Sequence, residues 1–581
     1  MSILSETTQT KARQRLVRLY GEQAADKAMG QLKRLLRQHL QLRKPRRDKP
    51  SWDASDILLI TYGDSIQAPG KTPLEALADF AERRLEGVIN IVHLLPFFPY
   101  SSDDGFSVTD FRAVNPELGR WSDIATLGQH FDLMFDLVLN HMSRENLWFV
   151  DFLNNEPPGR DYLIEMAPNT NLSMVVRPRS SPLLTPVMTR EGQKHVWTTF
   201  SHDQVDLDYR NPDVLMEFID ILLYYIRRGA RVVRLDAVGF LWKEAGTRCI
   251  HLPQTHEIVK LMRDLLDELE PGCVLLTETN VPHEENISYF GDGDEAHMVY
   301  QFSLPPLILH AIHRQTTRYL TPWALGLGNT PLPPKCTYLN FTASHDGIGV
   351  RPLEGLIPKE EVAELIDAIR ARGGYLSVKT DRDGGESPYE LNISYYDAFR
   401  DPNNDDDRVQ IAQFLLSQTV PLSLQGVPAI YINAITAAFN DRIGVERSGM
   451  TRRINRRKWD QSELEHLLDN PESAAGRVFP EYVRRLRIRR EIPALHPEVP
   501  QTILPLQDGL FGVVRDGGEP ASYLAALYNF TDRPRLVGLD TLHERFPESH
   551  WQDLLGDTLV NDTDSAIALA PYSGAWLAPS L

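Results

Sequence analysis

The chain has 581 residues, 42% of them apolar and 9% aromatic, which suits one large domain with appendages and argues against disorder. Its net charge of −18 at pH 7 disfavours nucleic acid as a partner for the body of the protein. No apolar run reaches the length of a membrane span, the opening MSILSETTQTKARQRL lacks a signal-peptide core, and Cys249, Cys273 and Cys336 show neither disulfide-frame nor zinc spacing, so a cytoplasmic protein with reduced thiols is expected.

Residues 1–50 carry 13 Lys and Arg against 4 Asp and Glu, and read as two helices followed by a basic, proline-broken linker. Such a segment could be an RNA- or membrane-binding arm. Its Leu and Val stripe favours amphipathic helices packed on the acidic body with the arginines exposed. After Ser51, strand-like runs recur at 57–63, 89–98, 131–140, 231–238, 273–280, 297–302, 337–344 and 427–432, with helical periodicity between most of them, as at 213–229 and 256–270. Eight strand–helix alternations predict an α/β fold, a closed (β/α)8 TIM barrel with a parallel sheet. The chain between Asn140 and Ala230 is too long for one helix, so an inserted subdomain is expected at about 142–212, and a second at about 347–425. LFGVVRD, SYLAALYNF, RPRLVGL and SGAWLAP, separated by Gly, Pro, Asp and Asn, predict a small antiparallel β domain. The expected division is a helical extension over 1–50, a catalytic barrel over 51–490 and a C-terminal β domain over 491–581.

Functional groups in such a barrel gather where strands end at the carboxyl face. There stand Asp136, Asn140 and His141; Arg234 and Asp236; Glu278; His345 and Asp346. One such residue could simply cap a helix. Three carboxylates, two histidines and an arginine at corresponding places point to a site. Arg234 and Asp236 lie on one side of an otherwise apolar strand, and burying a charge is costly unless it is paired. Paired carboxylates in a cleft suit glycoside chemistry: one attacks the anomeric carbon, and the other protonates the leaving oxygen and then deprotonates the acceptor. An adjacent arginine would hold the attacking carboxylate ionised.

DLVLNH (136–141), RVVRLDAVGF (231–240), LLTETN (275–280) and FTASHD (341–346) resemble the successive signature regions of the α-amylase superfamily, and QVDLDYRNP (204–212) its additional short signature. HLLPFFPYSSDDGFSVTDF (93–111), VVRPRSSPLLT (175–185), SHDGIG (344–349), SPYELNISYYDAF (387–399) and RRINRRKW (452–459) are similar to the sucrose phosphorylase subfamily. The resemblance implies Asp236 as nucleophile, Glu278 as acid/base and Asp346 as the carboxylate that stabilises the transition state. It implies Arg234, His141 and His345 as groups lining a blind glucose pocket, Asp103 and Arg456 as a pair gripping the far end of that glucose, and Phe106 as a ring packed against it. Ser344 departs from the Asn common before the His-Asp pair. Amylases often hold calcium near the DxVxNH region, but this subfamily generally does not, so neither metal nor cofactor is expected.

The phosphorylase expectation rests on the acceptor side. A phosphate acceptor needs cationic and hydroxyl donors at the mouth. By composition RPRSSP is an exposed basic loop; the resemblance makes Arg179 and Tyr389 the phosphate-site residues, with Arg177 as the rival. Glu390 stands where sucrose phosphorylases commonly carry Gln, which implies a changed acceptor. FLWKEAGTRCIHLPQTHE (240–257), the acidic loop 291–307 and the N-terminal helices resemble the branch that acts on glucosylglycerate. The implied activity is reversible phosphorolysis of 2-O-α-glucosylglycerate to α-glucose 1-phosphate and glycerate by double displacement. Sucrose or sucrose 6′-phosphate phosphorolysis is the alternative, and α-glucoside hydrolysis or transglucosylation a more distant one. The expected partners are a small carbohydrate and phosphate, with a homodimer to be tested. Lys243 and the pair Arg452 and Arg453 join Arg177 and Arg179 as candidates to meet the glycerate carboxylate, and Glu390 is expected to be held by one of these cations or by acceptor hydroxyls.

Overall fold

In a computed structural model, residues 3–43, 50–380, 385–404, 406–547, 550–560 and 565–580 are described. Eight parallel strands close into a barrel in chain order: β1 (Leu58–Thr61), β2 (Ile91–Leu94), β3 (Asp132–Leu137), β4 (Ala230–Leu235), β5 (Val274–Thr277), β6 (Met298–Tyr300), β7 (Thr337–Asn340) and β8 (Val427–Tyr431). Each coincides with one of the eight predicted runs but stops short of its end. Asp236 and Glu278 each lie one residue past a strand, and their backbone N–H groups continue the ladder onto Leu137 O and Leu235 O, both at 3.1 Å. The side chains therefore project from the last rungs, where the barrel opens.

The long α1 (Glu6–Leu42) is broken at Gly21, whose φ of 77° is one that a glycine adopts without a Cβ penalty, so the extension is two helices. They pack on α2 (Pro212–Arg227) and α3 (Pro253–Leu269), two helices of the outer barrel layer, and bury Leu16, Leu32 and Leu36. Each buried leucine is worth about 1.5–3 kcal/mol. Packing on the body is as expected; complete exposure of the arginines is not. Arg15 is 6% exposed and binds Asp264 at 2.6 Å, Asp294 at 3.2 Å and Glu257 at 3.4 Å, because the acidic loop and α3 supply carboxylates under that face. Most of the basic linker, residues 44–49, lies outside the described residues.

Between β3 and β4 the chain inserts the helix Leu147–Asn154, the hairpin Leu184–Thr189 with Gly192–Trp197, and the strand Gln204–Asp206, which pairs with His141–Ser143. Between β7 and β8 it inserts the helix Lys359–Ala371 and a three-stranded sheet containing Glu386–Asn392. The C-terminal region is a six-stranded antiparallel sheet with a separate strand pair, Arg535–Gly538 and Ala566–Leu569. No helix among the described residues is long and apolar enough to cross a membrane.

Candidate active site

The site grows from the β3–β4 register, which sets Asp136 beside Arg234. The Arg234 guanidinium, 2% exposed, donates to Asp136 and, at 2.8 Å, to Asp236 Oδ1, and it lies 4.0 Å from Glu278 Oε2. The other Asp136 oxygen meets His93 Nε2 at 2.6 Å. Ala237 follows in a left-handed conformation (φ 49°), rare for a residue with a side chain, and this turn aims its N–H at Glu278 Oε2, 3.0 Å away. One buried cation thus orients Asp136 and Asp236, and one strained turn fixes Glu278.

Asp236, Glu278 and Asp346 line one cleft with Asp103, Phe106, His141, Arg234, His345, Arg179, Tyr389 and Glu390. Phe106 stacks on His345, with ring centres 5.1 Å apart. Asp103, Asp104 and Gly105 form a turn with φ of 53°, 50° and 110°; a Cβ on residue 105 would stand 2.5 Å from Pro96 O. Arg453 and Arg456 both bind Asp104 behind this turn.

Four expected residues, Arg456, Arg177, Lys243 and Arg453, are absent from the cleft lining. Arg456 stands behind the wall: its Nη1 is 2.6 Å from Asp104 and only 3.9 Å from Asp103, because the second aspartate of the turn points back at it. Arg177 is taken up by its own loop, donating to the carbonyls of Ser180 and Ser181. Lys243 is also no mouth cation; its ammonium is buried against Asp206 Oδ2 (2.7 Å) and Asn140 Oδ1 (2.6 Å). Arg452 does line the cleft and forms a bidentate pair with Glu390 while holding Asp346 Oδ1 at 2.9 Å. The extra carboxylate of Glu390 is thereby neutralised. Arg179 lies 5.1 Å over the Tyr389 ring and 5.9 Å from that of Phe200, with no carboxylate within ion-pair distance among the described residues.

Phe200, Gln204 and Asn280 line the cleft without having been singled out in the sequence. Gln204 and Asn280 lie inside the quoted signature segments, so their place in the site was signalled. Phe200 carried no comparable signal.

Burial raises both Asp236 and Glu278 above the usual carboxylate range; repulsion from Glu278 adds to it at Asp236, and repulsion from Asp346 at Glu278. Arg234 touches Asp236 and only approaches Glu278, so the charge rests on Asp236 and the proton on Glu278. Burial opposes ionisation of Asp346 too, but the guanidinium groups of Arg452 and Arg456 outweigh it and hold that carboxyl well below its ordinary value. Burial lowers His141 and His345 and keeps both neutral. It pushes the Tyr389 hydroxyl up to about 12, so it remains a donor.

A barrel bearing an Arg-Asp pair at the end of β4, a Glu after β5 and a His-Asp pair after β7 defines an α-amylase-type enzyme, and the α-amylase catalytic domain matches residues 87–325. Within that class the chain belongs to the glucosylglycerate phosphorylase family. It is 45% identical over 579 residues to the glucosylglycerate phosphorylase of Allomeiothermus silvanus, covering 99% of this chain and 100% of that protein. It is 30% identical over 441 residues to the sucrose phosphorylase of Agrobacterium vitis, covering 72% and 85% of the two chains. The crystal structure of sucrose 6F-phosphate phosphorylase from Thermoanaerobacter thermosaccharolyticum superposes with a TM-score of 0.71 at 25% identity, over 82% of this chain and 94% of that one.

Proposed function

We propose that the chain catalyses reversible phosphorolysis of 2-O-α-glucosylglycerate, releasing glycerate and α-glucose 1-phosphate with net retention. Asp236, ionised beside Arg234, attacks the anomeric carbon while Glu278 gives its proton to the bridging oxygen. Glycerate leaves, and a phosphate oxygen then attacks the glucosyl–Asp236 ester as Glu278 takes back a proton. Asp346, held ionised by two arginines, faces the positive charge that develops on the sugar. Asp103, His141, His345 and Phe106 form the glucose pocket, and Arg456 acts on it from behind through Asp104. The reaction uses no metal or cofactor in this reading. In keeping with that, the Lys243 ammonium already supplies a cation to Asn140 and Asp206 beside the DLVLNH segment.

The observation that carries the phosphorylase reading is Arg179, a guanidinium over the Tyr389 ring in the same cleft as the carboxylates and without an acidic partner among the described residues. Both glycerate and phosphate are anions that need such a cation, at different stages of the cycle. The test is phosphate release from α-glucose 1-phosphate with glycerate, glycerol, fructose, fructose 6-phosphate or water as acceptor. Glycerate should give the highest kcat/KM. A higher value for fructose or its 6-phosphate would move the protein to sucrose-type phosphorolysis, and water equal to glycerate would make it a hydrolase.

A further inference from the structure

Lys243 is 2% exposed, and its ammonium carries only hydrogen-bond donors. The Asn140 atom 2.6 Å from it must therefore be the amide oxygen. That choice turns the Asn140 NH2 toward Asp206 Oδ2 at 3.1 Å and His141 Nδ1 at 3.2 Å. An NH2 group only donates, so His141 Nδ1 must accept with its lone pair, and the ring proton sits on Nε2. The remaining geometry agrees: Nε2 is 2.9 Å from the Phe106 carbonyl, an acceptor. Gln204 Nε2, at 3.3 Å from the same ring nitrogen, has Asp103 Oδ2 (3.3 Å) and the Phe106 carbonyl (3.4 Å) for its hydrogens.

We propose that Lys243 is a positioning residue: its ammonium locks the Asn140 amide and thereby holds His141 as the Nε2–H tautomer, a fixed donor on the wall of the cleft. Without that charge the Asn140 amide keeps only its bond to Asp206 to orient it, and Asp206, with only Thr199 and Asn140 left to bind it, favours a proton on the near side of the imidazole. The charged groups facing His141 are Asp206 from the Gln204–Asp206 strand, Asp103 from the 103–105 turn and Lys243 from the loop after β4. Lys243 is itself seated from behind, since the neighbouring Trp242 ring lies 6.3 Å from that of Tyr20 in the N-terminal helices.

The test is nitrogen NMR on the full chain labelled with 15N-histidine, with the His141 signals assigned by their loss in His141→Gln. The unsubstituted protein should show Nδ1 unprotonated and Nε2 protonated across pH 6 to 8; a protonated Nδ1 overturns the proposal whether or not any variant folds. Lys243→Met should gain a proton on Nδ1, and an unchanged His141 pattern in that variant overturns the proposal equally. Ethylammonium added to Lys243→Ala should restore the original pattern while tetramethylammonium, which has no N–H, should not; equal effects of the two refute the mechanism. The KM for α-glucose 1-phosphate should rise by about tenfold in Lys243→Met. That arm rests on the glucose-pocket reading above. A switched tautomer with an unchanged KM retains the control by Lys243 and overturns the donor role given to His141, so the two readings fail separately.

Discussion

Replacing Arg179 by alanine separates the anion-dependent steps from the glucosyl chemistry. The guanidinium rests over two aromatic rings and balances no carboxylate among the described residues, so its removal strands no buried charge. The folding cost is that of the ring contacts, about 0.5–1 kcal/mol at a partly exposed site. A charge-assisted hydrogen bond to phosphate or to the glycerate carboxylate is worth about 1.5–3 kcal/mol, which converts to roughly 10- to 150-fold in kcat/KM. The assay measures three rates on the variant and the parent: synthesis from α-glucose 1-phosphate with glycerate, the same with glycerol, and glucose release to water. Glycerate should lose the full factor, whereas glycerol, with the same carbon chain and no charge, and water should lose little. The loss with glycerate should also shrink as salt rises, because the loop is partly exposed. Equal losses for all three acceptors would assign Arg179 to the glucose pocket or to folding and remove the basis for the acceptor argument.

Three further outcomes follow from the charges. In Glu278→Gln, the alkaline fall of kcat/KM should vanish with a donor whose leaving group needs no proton, such as α-glucosyl fluoride; above its raised pKa Glu278 loses the proton it must give, so a surviving limb assigns the acid to another group. Asp236→Asn should abolish turnover with every acceptor, and a β-glucose 1-phosphate product from the parent enzyme would exclude double displacement. Arg452→Met leaves Glu390, 2% exposed, without its bidentate partner, which should cost about 3–5 kcal/mol in denaturant unfolding, whereas the paired change with Glu390→Gln should recover part of that loss.

The barrel was legible because its strands are short, largely apolar runs that alternate with helical periodicity eight times. The carboxylates could be placed because a residue at a strand end has only one direction open to it. The arginines resisted. RPR and RRINRR place several identical long side chains one or two residues apart on irregular backbone, where no periodicity says which faces inward. Arg179 reaches the cleft and Arg177 turns to Ser180 and Ser181; Arg452 faces the mouth while Arg453 and Arg456 face Asp104. Arg15 was misjudged for a related reason, since a helical stripe shows only apolar burial and not the carboxylates that another element brings beneath it.

The short turn Thr451–Asn455 with the adjoining Arg456 holds three arginines to separate duties: Arg452 on Glu390 and Asp346, Arg453 on Asp104, and Arg456 on Asp104 and the His345 carbonyl. Losing or gaining a single residue there would put Ile454 or Thr451 where one of these guanidinium groups now stands and leave a buried carboxylate short of its partner. For anyone redesigning the acceptor range, this makes the segment a stretch whose length should be frozen in any library. The 175–182 loop, where Arg179 has no acidic partner among the described residues to abandon, is the place to randomise.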